Sequence, residues 1–179
     1  MRVARVVVLG AQQSGRTSLV KALKGGLISP PPPSAAAPFN VSIDSIPLLN
    51  GRLEVKLWDF EGTTLFDAAY GLFLTPQTLF VVTVDLSVYA AKYERTLDVR
   101  DKNADSVLEE YVQTDIIYWL SYVVSRFANA AVVIAGTKEE LVVDKALKEN
   151  VARDLENRLS RWKLALEDEM DINHLNDIP

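Results

Sequence analysis

The sequence predicts an α/β domain built on a mostly parallel sheet with one antiparallel hairpin strand. Three observations carry that expectation. Apolar runs, Val6-Val-Val-Leu9, Thr78-Leu-Phe-Val-Val-Thr-Val-Asp85 and Ala131-Val-Val-Ile-Ala135, alternate with longer segments whose apolar residues recur at helical spacing. Unbroken β-branched runs of this kind suit strands covered on both faces, as in a parallel sheet. One Asn50-Gly51 pair joins two further extended stretches, and Asn-Gly favours a tight hairpin because both turn residues take positive φ. Right-handed crossovers then place helices on both faces of the sheet, and a single domain over residues 1–179 is expected.

The first strand, Val6 to Leu9, runs into Gly10-Ala-Gln-Gln-Ser-Gly15-Arg16-Thr17, and a helix follows from Ser18 to Lys24. Gly25-Gly26 supplies a helix stop. The stretch 29–38, Ser-Pro-Pro-Pro-Pro-Ser-Ala-Ala-Ala-Pro, reads as an extended mobile loop. Val41, Ile43, Ile46, Leu48 and Leu49 make one hairpin strand, and Leu53, Val55 and Leu57 the other. A short helix is expected over 64–73, then the buried strand ending at Asp85. The charged stretch 87–104 lacks a clear period and is expected as loop with helical turns. A helix over 105–127 follows, with Val107, Leu108, Tyr111, Val112, Ile116, Trp119, Leu120 and Val123 at helical spacing. Ala131 to Ala135 is expected as another buried strand. A last helix over 143–169 carries Leu147, Val151, Leu155, Leu159, Trp162 and Leu166 on one stripe, and 171–179 shows no recognisable element.

Composition narrows the function. Nearly half of the 179 residues are hydrophobic and about a quarter charged, which is globular. A net charge of −5 argues against general attraction to nucleic acid or to an anionic membrane. There is no cysteine, so disulfides and cysteine metal sites are excluded, and no run approaches membrane-spanning length. The short apolar start leads directly into the glycine loop, unlike a signal peptide, so the cytoplasm is the expected location. His174 is the single histidine, which excludes histidine-based triads.

The glycine loop carries the first chemical signal. Gly, four residues, Gly, a cation and a hydroxyl residue between strand and helix match the phosphate loop of nucleoside triphosphatases, with Arg16 in the lysine position. Gly10 and Gly15 can take backbone angles closed to other residues and bring the chain close to a pyrophosphate. The amides from Gln13 through Ser14 and Gly15 to Thr17, with Ser18 beside them, would form an anion nest reinforced by the helix dipole. Thr17 would bind magnesium through its hydroxyl. Arg16 keeps the charge but spreads it over a planar fork on a longer stem than lysine. The alternative is a glycine-containing turn with no ligand.

Two other loops fall at the same edge, because ligands of such sheets bind at the carboxyl ends of the strands. Asp59 and Gly62 form an aspartate, two residues, glycine pattern in which the carboxylate holds magnesium and the amide senses a terminal phosphate. Thr137-Lys-Glu-Glu140 matches the guanine-reading Asn/Thr-Lys-x-Asp pattern, with Glu140 offering a carboxylate one methylene longer and Lys138 a stem to cover the base. The alternative for Thr137 is a helix amino-terminal cap.

The order of these motifs resembles the Ras-like small GTPases. Trp58-Asp-Phe-Glu-Gly62, followed by Leu72-Phe-Leu-Thr-Pro-Gln-Thr-Leu-Phe-Val-Val-Thr-Val-Asp85-Leu86-Ser87 and then Gly136-Thr137, is more narrowly similar to the Roc domains of Roco proteins. The likeness covers most of residues 3–143. It implies a Ras-like P-loop three-layer fold, binding of GTP and GDP with magnesium, and a nucleotide-dependent switch in signalling. It also implies protein partners or a neighbouring domain of the same polypeptide, and homodimers.

Several departures accompany the likeness. Pro38-Phe-Asn-Val-Ser42 lacks the family's magnesium-completing threonine, Thr63 stands where Ras proteins have a water-orienting glutamine, and the sixth strand with its guanine contact is missing. No catalytic residue is assigned, since hydrolysis depends mainly on electrostatic positioning at the terminal phosphate. The expectation is guanine-nucleotide binding with slow or partner-dependent hydrolysis. The second reading is a pseudo-GTPase scaffold that binds proteins without a nucleotide cycle, and an ATPase or P-loop kinase is a weaker third.

Overall fold

The computed structural model describes residues 2–25, 40–48, 50, 52–61, 78–127 and 130–176. Five strands, β1 (Arg2–Gly10), β2 (Asn40–Leu48), β3 (Leu53–Glu61), β4 (Thr78–Asp85) and β5 (Ala131–Thr137), form one sheet in the order β2-β3-β1-β4-β5. β1 pairs in parallel with β3 and β4, β4 pairs in parallel with β5, and β2 is antiparallel to β3. The fold is therefore α/β with a mixed, mostly parallel sheet. Asn50, at φ 53°, turns the β2-β3 hairpin as its residue type predicts. The short helix expected over 64–73, the proline-rich stretch and Gly62 lie outside the described residues.

The period of two along β1 divides the core. Val7 and Leu9 join Phe80, Val82 and Val84 on one face, against helices that contribute Tyr89, Leu108, Ile116, Leu120, Val151 and Leu155. Val6 and Val8 point the other way and join Leu57, Val81 and Val20 of α1 (Arg16–Leu23). Helices thus cover both faces. Phe80 is fully buried and stacks on Phe127 with ring centroids 5.4 Å apart, so truncating it to alanine would cost about 3–5 kcal/mol.

The stretch expected as loop is helical: α2 spans Leu86–Thr96. Its start is fixed by Asp85, whose carboxylate accepts from the Ser87 and Val88 amides at 3.0 and 3.1 Å, and its buried residues are Tyr89 and Ala90. The long helix reads α3 (Ala104–Tyr111), a π-helical segment Val112–Ile117, and α4 (Tyr118–Arg126). The wider i→i+5 turn sets Val112, Ile116 and Ile117 on one buried face, where 3.6 residues per turn would swing Ile117 away. Tyr111 and Tyr122 are buried while Tyr118 is exposed, so the helix tyrosines mainly serve the core.

Two further expectations are corrected. β5 is not a buried strand: among the described residues it is the edge of the sheet, with alternating exposure and Val133 49% exposed. The last helix, α5, spans Lys145–Asn176 and so continues into the stretch where no element was recognised. α5 is tied to the bundle by Arg158, 10% exposed, which bonds Asp154 on its own helix and Asp105 and Glu109 on α3. The Tyr89 hydroxyl donates to the same Asp154 at 2.7 Å.

Candidate phosphate and base loops

The sheet register brings the three motifs to one edge. Asp59 of β3 lies level with Val8, Thr83 of β4 with Gly10, and Thr137 of β5 with Asp85. The segment after β1 therefore closes over the carboxyl ends of the central strands.

Gly10 leaves the sheet at φ 145° and Gly15 enters α1 at φ 89°, both in the region that favours glycine. Gln13 between them also takes a positive φ, 64°. A non-glycine residue held there marks a backbone that its surroundings over-determine. The Ser14 amide donates to Ala11 O at 3.2 Å, and Leu19 N to Gly15 O at 2.9 Å starts the α1 ladder. No acidic residue occupies the first turn of α1, so the positive end of the helix stays uncompensated. Arg16, half-buried, has no ion-pair partner among the described residues, and the hydroxyls of Thr17 and Ser18 make no hydrogen bond there. The loop thus presents glycine-shaped backbone, a cation and two hydroxyls, which suit a phosphate.

Side chains from neighbouring strands hold this loop. The Ser14 and Thr83 hydroxyls lie 2.6 Å apart, and Thr83 donates to Leu9 O at 3.0 Å. The Thr137 hydroxyl lies 2.6 Å from Ser14 O and 3.1 Å from Val84 O. The Thr137-Lys138 motif therefore touches the glycine loop, and Thr137 is not a helix cap: the following turn, Glu139–Leu141, has no side-chain cap. A Cβ on Gly15 would come within 3.0 Å of the Thr137 side chain.

Lys138, at φ 57°, points its ammonium to Asp85 Oδ2 at 2.5 Å. Burial by itself raises the Asp85 pKa, but hydrogen bonds from Lys138, Ser87 and the Val88 amide outweigh it, and the carboxyl lies below its usual range. Glu140 is exposed, while its neighbour Glu139 pairs with Lys148 at 3.2 Å. Asp59 is buried at the end of β3, level with the loop.

Thr83 and Asp85 were not singled out as site residues from sequence. Their signal was present, since Thr83 is a lone hydroxyl inside an apolar run, and a buried hydroxyl needs a partner. A cavity of about 90 Å³ beside the loop is lined by Gln12, Gln13, Ser14, Thr83, Asp85 and Asp115. A larger groove of about 550 Å³ lies between β5 and α5, lined by apolar side chains such as Val132, Ile134, Leu155 and Trp162. It offers little to a phosphate, so the site is assigned by the loop and not by this groove. Among the described residues no helix is long and apolar enough to cross a membrane, and no group of three or more His, Cys, Asp or Glu is placed to hold a metal. Neither protein-family models nor curated proteins gave a match to this chain.

Proposed function

We propose that this chain is a guanine-nucleotide-binding domain of Ras-like, Roc type, which takes GDP or GTP with magnesium and acts as a slow, partner-dependent signalling switch. The observation that carries the reading is the Thr137 hydroxyl on the Ser14 carbonyl, 2.6 Å across 123 residues of chain. It joins the loop expected to read the base to the loop expected to hold the phosphates. The Thr17 hydroxyl, without a hydrogen bond among the described residues, and the buried Asp59 suit a magnesium ion, which keeps water and phosphate oxygens and needs few protein ligands. Arg16 and the Gly10–Gly15 backbone would hold the phosphates, and Lys138 and Glu140 would face the base. The cytoplasm, protein partners, an adjoining domain and a homodimer belong to the same proposal.

Isothermal titration with GDP and magnesium tests it. Saturable heat at micromolar nucleotide supports the reading, and no heat at high micromolar GDP overturns it. A second reading, a pseudo-GTPase scaffold, is favoured by Arg16 in the lysine position and by the Lys138 ammonium being engaged by Asp85.

A further inference from the structure

We propose that Ser14 and Thr83 are a positioning pair that sets the phosphate loop in its anion-holding shape before any ligand arrives. The inference rests on the nucleotide reading of that loop and assigns the side chains that shape it. Both residues are buried, Ser14 4% and Thr83 1% exposed. A threonine hydroxyl has one hydrogen, and that of Thr83 goes to Leu9 O at 3.0 Å. The 2.6 Å contact is therefore Ser14 donating to Thr83. The chain Ser14 → Thr83 → Leu9 O fixes the Ser14 side chain in one orientation relative to β1 and β4.

Thr137 grips the other end of Ser14, its carbonyl. In a trans peptide the carbonyl and the next amide point opposite ways. Drawing Ser14 O toward Thr137 therefore turns the Gly15 amide away from Thr137. Two threonines, one near the end of β4 and one at the end of β5, thus set one peptide plane.

The pair also explains Gly10. A Cβ there would sit 2.3 Å from Thr83 Oγ1 and 2.7 Å from Ser14 Oγ, so the hydroxyl pair occupies the space a side chain would need. The glycine that the phosphate motif demands is demanded here by the pair beneath the loop as well.

Thr83→Val removes the hydroxyl with little change of shape, and Thr83→Ser retains it. Titration of each with GDP and magnesium is compared with deuterium uptake of residues 11–17 without nucleotide. The expected result is about tenfold weaker GDP binding and faster uptake in Thr83→Val, the loss of one buried neutral hydrogen-bond chain, with wild-type behaviour in Thr83→Ser. Equal impairment of both variants, or wild-type behaviour of Thr83→Val, overturns the pair. If the wild type binds no GDP, the nucleotide reading falls by itself. Uptake then decides the pair: unchanged exchange in Thr83→Val overturns it, and selectively faster exchange in residues 11–17 supports it.

Discussion

Lys138 donates to the Asp85 carboxylate at 2.5 Å, and the same carboxylate caps α2 through Ser87 and Val88. One buried group thus fixes both the loop after β5 and the start of the helix after β4. Because the folded pKa of Asp85 lies below its ordinary value of 3.8, its contribution is complete above that value and is lost as pH falls through the depressed one. Asp85→Asn is expected to cost about 1.5–3 kcal/mol at pH 7, the range for hydrogen bonds to charged groups. The gap to wild type should shrink toward pH 3. Urea unfolding at the two pH values checks this, and a gap unchanged at pH 3 would show that the charge is not its source.

Gly10 and Gly15 should not be equally tolerant. A Cβ at Gly10 would meet three atoms closer than 3.0 Å at φ 145°, whereas at Gly15 the nearest contact is 3.0 Å at φ 89°. Overpacking adds to backbone strain at Gly10, so Gly10→Ala is expected to cost about 3 kcal/mol and Gly15→Ala about 1–2 kcal/mol. Thermal melts give the ranking, and Gly15→Ala proving the more damaging would contradict it.

Arg158 tests a part of the fold remote from the loop. It is 10% exposed and bonds Asp105, Glu109 and Asp154, the last also accepting from Tyr89. Asp105 and Glu109 are well exposed and can return to water, but Asp154 is largely covered. Arg158→Met is therefore expected to lower stability by about 2 kcal/mol, less than a fully buried pair would lose. Chemical denaturation measures it, and GDP affinity should stay unchanged in the native baseline.

The legible parts of this molecule were those written locally. The hairpin followed from Asn50-Gly51, the central strands from their β-branched runs, and the loop from glycine spacing between strand and helix. α2 was missed because its apolar residues show no long period; its start depends on the Asp85 cap and its burial on Tyr89 and Ala90 meeting other elements. β5 misled for a topological reason: Ala131-Val-Val-Ile-Ala135 reads the same at the centre or the edge of a sheet. The π-helical segment was hidden because Val112 and Ile116 fit a helix of either pitch, and only the burial of Ile117 beside them reports the wider turn. At the site, the Lys138 ammonium meets Asp85, a partner 53 residues away that no local pattern announces.

Arg16 separates the two functional readings. It opens α1, half-buried and without an ion-pair partner among the described residues, beside amides that lack any acidic neighbour in the first turn. An anion there would gain from the charge of either arginine or lysine, but the two differ in reach: a guanidinium is wide and planar, an ammonium compact and able to sit between two phosphates. If Arg16 serves the proposed switch, Arg16→Lys is expected to leave GDP–magnesium binding unchanged and Arg16→Ala to weaken it by about tenfold, a change of 1.4 kcal/mol. A gain in the lysine variant would mean the native loop holds nucleotide below the capacity of its backbone, as a scaffold relieved of a nucleotide cycle would. Unchanged affinity in Arg16→Lys, with loss in Arg16→Ala, would instead make arginine a phosphate ligand equal to lysine and favour a working switch. Titration of the three proteins at one salt concentration distinguishes these outcomes, because screening would otherwise change the charge contribution common to both side chains.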